Sequence, residues 1–525
     1  MKRQSFSRRS FVASAGALST TALLSSPRRA LAATGLITSD RLRPQLDHGI
    51  QIGDVNEHEA VIWTRSDRPA RMFVEWDTSP KFRRPRRVRG PHQLAPTDFT
   101  GRISLDDLPP GEKIFVRVFS ESLRDGTSSA PHYGHFRTAP WRRRDIRFVW
   151  GGDTAGQGYG INPDFGGMRM YETMRQRHPH FFIHSGDTVY ADGPIQAEKA
   201  VEEGKIWRNL VTEEKSKVAE TLREFRGNYR YNLLDENVRR FNAEVPQIWQ
   251  WDDHEVTNNW SGSKVLDERY TVREVPLLVG RATKAFLEYA PLRQYGNREE
   301  ERVYRKISYG PMLDVFVIDM RSYRGPNTFN RQPLPGEDTT FLGRAQIQWL
   351  KWGLLKSRAT WKVIASDMPI GLLVGDGTDD EGRARWENGA NGDGPPLGRE
   401  LEIKNLLRFI KHAGIKNTVW LTADVHYCAA HRYDPANAVF TDFSPFWEFV
   451  SGPLNAGSFG PNGLDNTFGP EVVFQQAPSA PNLSPYAGLQ FFGQVDIERR
   501  TKEMTVSLVD IEGNTLFEQK IAPQR

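Results

Sequence analysis

Five apolar segments of this chain run directly into acidic or histidine residues, and no other feature constrains the fold as tightly. They close in Trp150-Gly151-Gly152-Asp153, Ile183-His184-Ser185-Gly186-Asp187-Thr188-Val189-Tyr190, Trp251-Asp252-Asp253-His254-Glu255, Ile318-Asp319-Met320-Arg321 and Thr422-Ala423-Asp424-Val425-His426. Strands are expected over 146–150, 181–184, 247–251, 313–318, 361–366 and 418–422. Residues 168–177, 197–225, 343–357 and 399–411 between them have helical spacing, with Gln346, Trp349 and Leu350 on a packed face. Strands alternating with helices predict an α/β domain. In open α/β sheets, ligands bind where loops leave the carboxyl ends of strands. Oxygen and imidazole donors at several such ends therefore describe a site for hard or borderline metal ions.

Within that set Asp187 is suited to bridging two cations, since one carboxylate has two oxygens to share. In Asp424-Val425-His426 the two side chains can flank a metal pair where the backbone is extended or turning. Tyr190, three residues after Asp187, can return to the same metal as a phenolate, which favours ferric iron. A lone Gly-Asp is more often a turn; the ordered series carries the reading. His254 is either a core histidine held by Asp252 or Asp253, or a catalytic group. Arg321 either pairs with Asp319 as a buried bridge or presents its guanidinium fork to a phosphate.

Ahead of this region, short strand-like pieces occupy 60–64, 71–76, 100–105, 114–120 and 132–138, separated by turns such as Pro109-Pro110-Gly111 and Asp125-Gly126. Strands at that spacing without helices predict a small antiparallel β-sandwich over 41–140. It contains no cluster with ligand spacing, so an accessory role is expected. Arg142, Arg143 and Arg144 read as a solvated linker into a catalytic domain over 145–515. Residues 382–398 and 451–484 read as long loops, lids or disordered segments.

The first 33 residues pair Arg8-Arg9 with a mildly apolar run from Phe11 to Leu24 and the small-residue site Ala30-Leu31-Ala32. This is expected to be a cleavable twin-arginine signal, making the translocation machinery a partner and the destination periplasmic or secreted. The lysine usual after the arginine pair is replaced by Ala13. Twin-arginine export accepts folded cargo, which fits a cofactor loaded beforehand. The pI near 9.1 would otherwise suggest a nucleic-acid or membrane partner. However, the six basic residues of this segment, of 70 in the chain, leave 64 against 65 acidic ones, and that inference falls away. No other stretch is apolar for long enough to span a membrane. The single cysteine, Cys428, cannot form an internal disulfide.

The motifs His184-Ser185-Gly186-Asp187 with Tyr190, Trp251-Asp252-Asp253-His254-Glu255 with Asn258-Asn259-Trp260, Asp319 with Arg321, and Asp424 with His426 resemble the alkaline phosphatase D (PhoD-like) family over nearly the whole mature chain. That family is related in site design to the purple acid phosphatases. The resemblance implies a metallophosphatase-type α/β sandwich with mixed sheets behind the amino-terminal β-sandwich. It further implies ferric iron near Asp187, Tyr190 and His426, and calcium near Asp187, Asp424 and the segment Asp253 to Asn259, with the ligand among Asp253, Asn258 and Asn259 left open. The family's first motif can offer cysteine; Asp153 stands here, as in purple acid phosphatases, and leaves manganese or zinc as alternatives.

On this reading the chain is a phosphoester hydrolase in which Asp153, Asp187, Tyr190, Asp424 and His426 hold two cations that generate a hydroxide or oxide nucleophile. His254 would steady the transition state or protonate the leaving group, and Arg321 would orient the phosphate. No serine nucleophile is needed, and no phosphate-cradling Gly-x-x-x-x-Gly-Lys loop is present, so a nucleotide cofactor is not expected. The alternatives are a phosphodiesterase or phospholipase D-type enzyme acting on extracellular polymers or lipids, and a noncatalytic surface-binding protein.

Overall fold

Side chains of a strand alternate between two faces, and in Ile146–Gly151 both faces are covered. Ile146, Phe148 and Trp150 belong to one buried cluster and Val149 to another. In the computed structural model, which describes residues 40–293 and 302–524, this strand lies inside a nine-stranded mixed sheet. On one side Phe182–Ser185 and then Gln247–Gln250 continue the sheet in parallel; on the other Phe491–Ile497 pairs antiparallel with Ile146–Gly151, and Met504–Asp510 antiparallel with Phe491–Ile497. A seven-stranded mixed sheet faces it, with Leu313–Val317, Trp361–Ala365, Thr418–Thr422 and Phe446–Val450 running parallel at its centre. Between the sheets pack Phe148, Trp150, Val315, Val363, Leu421 and Val506. Helices Arg169–Gln176, Leu222–Asn232, Glu236–Glu244 and Val275–Tyr289 cover the outer face of the first sheet, and Arg344–Lys356 and Glu400–His412 that of the second. The result is an α/β sandwich of two mixed sheets flanked by helices. Arg43–Arg525 forms one compact unit. Arg8, Arg9 and the rest of the expected export signal lie outside the described residues.

The helix expected over 197–225 is not formed as such. Glu198–Ala200 and Ile206–Arg208 make a small hairpin that reverses at Gly204 (φ 69°), and the helix begins only at Leu222. Thr221 and Glu224 form a capping box there, each side chain satisfying the other's backbone N–H, which fixes the start.

The amino-terminal strands are bound into the same sheet. A four-stranded sheet, Arg86–Gln93, Ala70–Asp77, Lys113–Ser122 and His132–Arg137 in that order, packs through Met72, Val74, Val116 and Val118 on Ile50–Gly53, Ala60–Arg65 and Thr100–Leu105. The latter three extend the nine-stranded sheet, Gly53 pairing in parallel with Gln247. Gln51 Nε2 donates to the carbonyl of Tyr289 at 3.0 Å, and Trp63 Nε1 to that of Glu288 at 2.7 Å, satisfying carbonyls that helix Val275–Tyr289 leaves open at its end. Asp54 receives both Nε and Nη2 of Arg305, a pair with side chains 0% and 1% exposed, while Arg305 Nη1 donates to the carbonyl of Trp249 at 2.8 Å.

Removing one member of so deeply buried a pair should cost about 3–5 kcal/mol, because the partner keeps its charge without compensation. Arg305→Met should therefore lower the urea midpoint clearly, and Asp54→Asn combined with it should lose less than the two single losses together. Additive losses would show that the pair is not coupled.

Candidate metal centre

Parallel strands release their loops on one edge, and here three such loops carry Asp153, Asp187 and Asp252-Asp253. The Thr418–Thr422 loop meets them from the other sheet. A Cβ on Gly152 would stand 2.9 Å from Cβ of Ala423, so glycine is what lets the two loops touch. Asp153, Asp187, Asp424 and His426 have φ between 51° and 69°, the left-handed region that costs about 1–3 kcal/mol for a residue with a side chain. The surrounding backbone imposes it. Thr154 N donates to the carbonyl of Asp187 at 2.9 Å, Asn455 N to that of Asp153 at 3.1 Å and Ala423 N to that of Asp367 at 2.9 Å.

Asp153, Asp187 and His426 converge with ligand atoms within 4.8 Å of one another, and so do Asp187, Asp253 and His254. Asp187 belongs to both groups, as a bridging carboxylate would. All of these residues are buried. Neither oxygen of Asp153 and not Oδ1 of Asp253 has a hydrogen-bond partner among the described residues. Burial, and then neighbouring carboxylates against the relief offered by His254, pushes the Asp153 and Asp187 carboxyls well above their ordinary range. Buried carboxylates without donors are what a cation neutralises, so the donor set fits metal ions.

His426 is prepared for ligation. Its Nδ1–H donates to the carbonyl of Gly457 at 2.5 Å, which leaves the Nε2 lone pair facing inward, 2.7 Å from the Tyr190 hydroxyl and 3.8 Å from Asp153 Oδ1. Burial lowers its pKa to about 4, keeping the imidazole neutral. Tyr190 is buried as well, and its hydrogen bond with His426 brings its phenol to the same point.

His254 has the opposite electrostatics. Burial disfavours its charge, but Asp192, Asp253 and Asp187 outweigh that and hold its pKa well above the ordinary value. Nδ1–H donates to Asp192 Oδ1 at 2.6 Å, and the ring lies 4.2 Å from that of Tyr190. With its side chain 11% exposed, His254 reaches an open cleft of about 410 Å³ that Tyr190, Asp192, Asn258, Lys264 and Arg269 also line. Neither Asp252 nor Asp253 is its principal holder. Asp192 escaped sequence reading because it follows Tyr190 by two residues with no motif of its own; only the fold sets it against His254. Glu255, part of the Trp251-Asp252-Asp253-His254-Glu255 motif, has no role of its own in the sequence reading. It accepts from Thr188 N at 2.6 Å and from Asp252 N at 2.8 Å, bracing two loops of the centre.

Other expected positions need correction. The Arg321 fork is not presented to the cleft: its side chain has no exposure and is enclosed by Asp252, Asp367 and Glu387, so the guanidinium neutralises buried carboxylates. It is a buried bridge, but Asp319 is not its partner; Asp319 accepts from the backbone N of Arg321 and Ser322 and from Trp251 Nε1. Asn258 and Asn259 reach the centre through their backbones, whose N–H groups donate to Asp192 at 2.8 Å and Asp253 at 2.5 Å. The Asn259 amide donates away, to Asp376 and the carbonyl of Gly375. Asp424 ends its strand beside the centre but is half-buried and outside both three-residue groups.

Comparison with known proteins shows the family and the fold. The family model for PhoD-like phosphatases matches residues 148–508, and that for the amino-terminal domain of PhoD-like phosphatases matches residues 30–140. Alkaline phosphatase D of Bacillus subtilis (strain 168) is 24% identical over 470 residues, covering 84% of this chain and 74% of that protein. The solved structure of PhoD superposes with a TM-score of 0.67 at 19% identity over 92% of this chain and 93% of its own. A purple acid phosphatase from yellow lupin (Lupinus luteus) seeds gives 0.53 at 12% identity, over 91% and 74%.

Alanine at Asp153, Asp187 or His426 should strip metal from the purified protein while the far-ultraviolet dichroism stays native; full metal content in two of the three would overturn the assignment. His254→Ala and Asp192→Asn should keep the metal yet lose turnover, His254→Ala by roughly 10²–10⁴. Unchanged rates in both would return His254 to a structural role.

Proposed function

The chain belongs to the PhoD-like phosphatase family and is a phosphoric ester hydrolase, and on that footing we propose that it cleaves phosphate monoesters at the centre that Asp187 joins. The observation that carries this reading is Asp187 itself, common to two buried donor groups that form no ion pair with arginine or lysine among the described residues. Asp153, Asp187, His426 and Tyr190 would hold one ion and Asp187 with Asp253 a second. Cations bound there would supply positive charge for the phosphoryl oxygens and acidify a water.

The protein's own groups do the rest. Asp192 favours the protonated form of His254, which suits it to act as an acid that gives its Nε2 proton to the leaving oxygen. The Tyr190 ring packs against it and fixes its plane. Lys264 in the cleft wall adds positive charge toward an anionic substrate, while Arg269 there is paired with Asp267.

The proximity of the Tyr190 hydroxyl to His426 Nε2 supports ferric iron at that end, since a trivalent ion stabilises a phenolate at neutral pH. With His254 kept as the acid, the carboxylate oxygens of Asp187 and Asp253 favour calcium, with manganese or zinc as the other candidates. Export through the twin-arginine machinery to the periplasm or medium is part of the same proposal and rests on Arg8 and Arg9. No helix among the described residues is long and apolar enough to cross a membrane.

The purified enzyme should be coloured and contain iron, and Tyr190→Phe should bleach or strongly shift the visible band; a colourless, fully active, iron-free protein would sink the ferric assignment. Turnover of p-nitrophenyl phosphate should exceed that of its bis ester, and the reverse order would make the enzyme a diesterase. Lysine at both Arg8 and Arg9 should trap precursor in the cytoplasm, and mature protein still accumulating outside would remove the export reading.

A further inference from the structure

The outer face of the four-stranded sheet is built from arginine and aromatic residues, far from the neutral average of the mature chain. Met72, Val74 and Trp76 point into the sandwich core, so Arg71, Phe73 and Glu75 point out; across the register, Arg117 and Phe119 of Lys113–Ser122 and Arg87 and Arg89 of Arg86–Gln93 join them. The segment leading into and along the last strand reads Lys81-Phe82-Arg83-Arg84-Pro85-Arg86-Arg87-Val88-Arg89, with six basic residues and no acid. All six are exposed, and the strand is the free edge of its sheet. Only Arg87 among them forms an ion pair among the described residues, with Glu121 at 2.7 Å.

The rings beneath are occupied by the arginines themselves. The Arg87 guanidinium lies 4.3 Å from the centre of Phe73 and 5.0 Å from that of Phe119, and Arg117 lies 4.8 Å from Phe82; Arg86, on the other face at the sheet's edge, lies 5.0 Å from the core ring of Trp76. A ring beneath a guanidinium limits where the fork can point. Arg87 and Arg117 are also paired, with Glu121 and Glu75, which leaves Lys81, Arg83, Arg84, Arg86 and Arg89 as the cations of the segment without an ion pair among the described residues. The rings, being covered, are poor platforms for stacking bases. Beside the opposite edge strand, His132–Arg137, lies a pocket of about 390 Å³ lined by Lys113, His135, Arg137, Arg175, His178 and His180, whose one acid, Glu244, is already paired with Arg175 at 2.8 Å. Pro179 and Pro246 in its wall precede the central strands, so the pocket lies at the opposite edge of the sheet from the metal centre.

We propose that this face and pocket form a second, noncatalytic site that holds a linear, base-free chain of linked phosphates by its charge. Six cations lie along one extended edge segment, and a second basic group lines the pocket beside the opposite edge strand; spaced charges of this kind suit an extended polyanion better than a single ion. The inference does not rest on the activity of the metal centre, and its test reads binding alone.

The probe is end-labelled long-chain inorganic polyphosphate, followed by fluorescence anisotropy over a salt series with the full mature chain. Binding should weaken steeply with salt. Arg83→Gln, Arg84→Gln, Arg86→Gln and Arg89→Gln together should lower affinity at least tenfold and flatten the logarithmic salt slope by about 0.7 for each phosphate that is no longer neutralised. An unchanged melting temperature would show that the variant is folded. Equal affinity of variant and wild type, or no binding by the wild type at low salt, overturns the proposal. So does tighter binding of single-stranded DNA that Tyr133→Ala abolishes, which would mean a base-stacking surface. Capture by phosphatidylglycerol vesicles without binding to polyphosphate would mean a membrane-facing one, and equally overturns it.

Discussion

Burying a carboxylate costs several kcal/mol unless a counter-charge goes with it, and this chain meets that demand in two ways on either side of the Asp252-Asp253 pair. Asp252 turns to Arg321, which also serves Asp367 and Glu387, while Arg324 adds a second cation to Glu387. Asp253 turns the other way, toward Asp187, His254 and, beyond them, Asp153, where no arginine follows. One set is neutralised by the protein, the other leaves its charge for something bound. Adjacent residues of a single loop thus divide a structural core from a reactive one.

The loops, their strain and their braces follow from that division. Acidic side chains that repel one another would spread if the backbone allowed it. The left-handed conformations at Asp153, Asp187, Asp424 and His426 persist because Glu255, the carbonyl of Gly457 and the ladder from Thr154 to Asn455 leave no other arrangement. The segment after Val450 shows this best. By composition it reads as a loop, lid or disordered stretch, yet Leu454 and Asn455 are buried and their N–H groups hold the carbonyls of Gly152 and Asp153. It is a fixed wall of the centre.

Much of the architecture was legible in the sequence because strand patterning and strand-end chemistry are local. Apolar runs ending in Asp153, Asp187 and His426 announced both the sheet and the donors. What stayed hidden depends on contacts between distant segments. Arg321 could not be told from a phosphate ligand until Glu387, 66 residues on, was seen to enclose it. Asp192 acquires a role only when the fold sets it against His254. The Asn258-Asn259 pair, specific as a motif, acts through its backbone, which residue identity does not reveal.

The carbonyls of Glu288 and Tyr289 find their donors in Trp63 and Gln51, which belong to another part of the chain. That exchange limits modularity. A sandwich taken from elsewhere could reproduce the strand count and still leave the end of a central helix open, beside a sheet missing Ile50–Gly53. The two regions have to change together, so any transplant would need to carry Gln51, Asp54, Trp63 and Arg305 as a set.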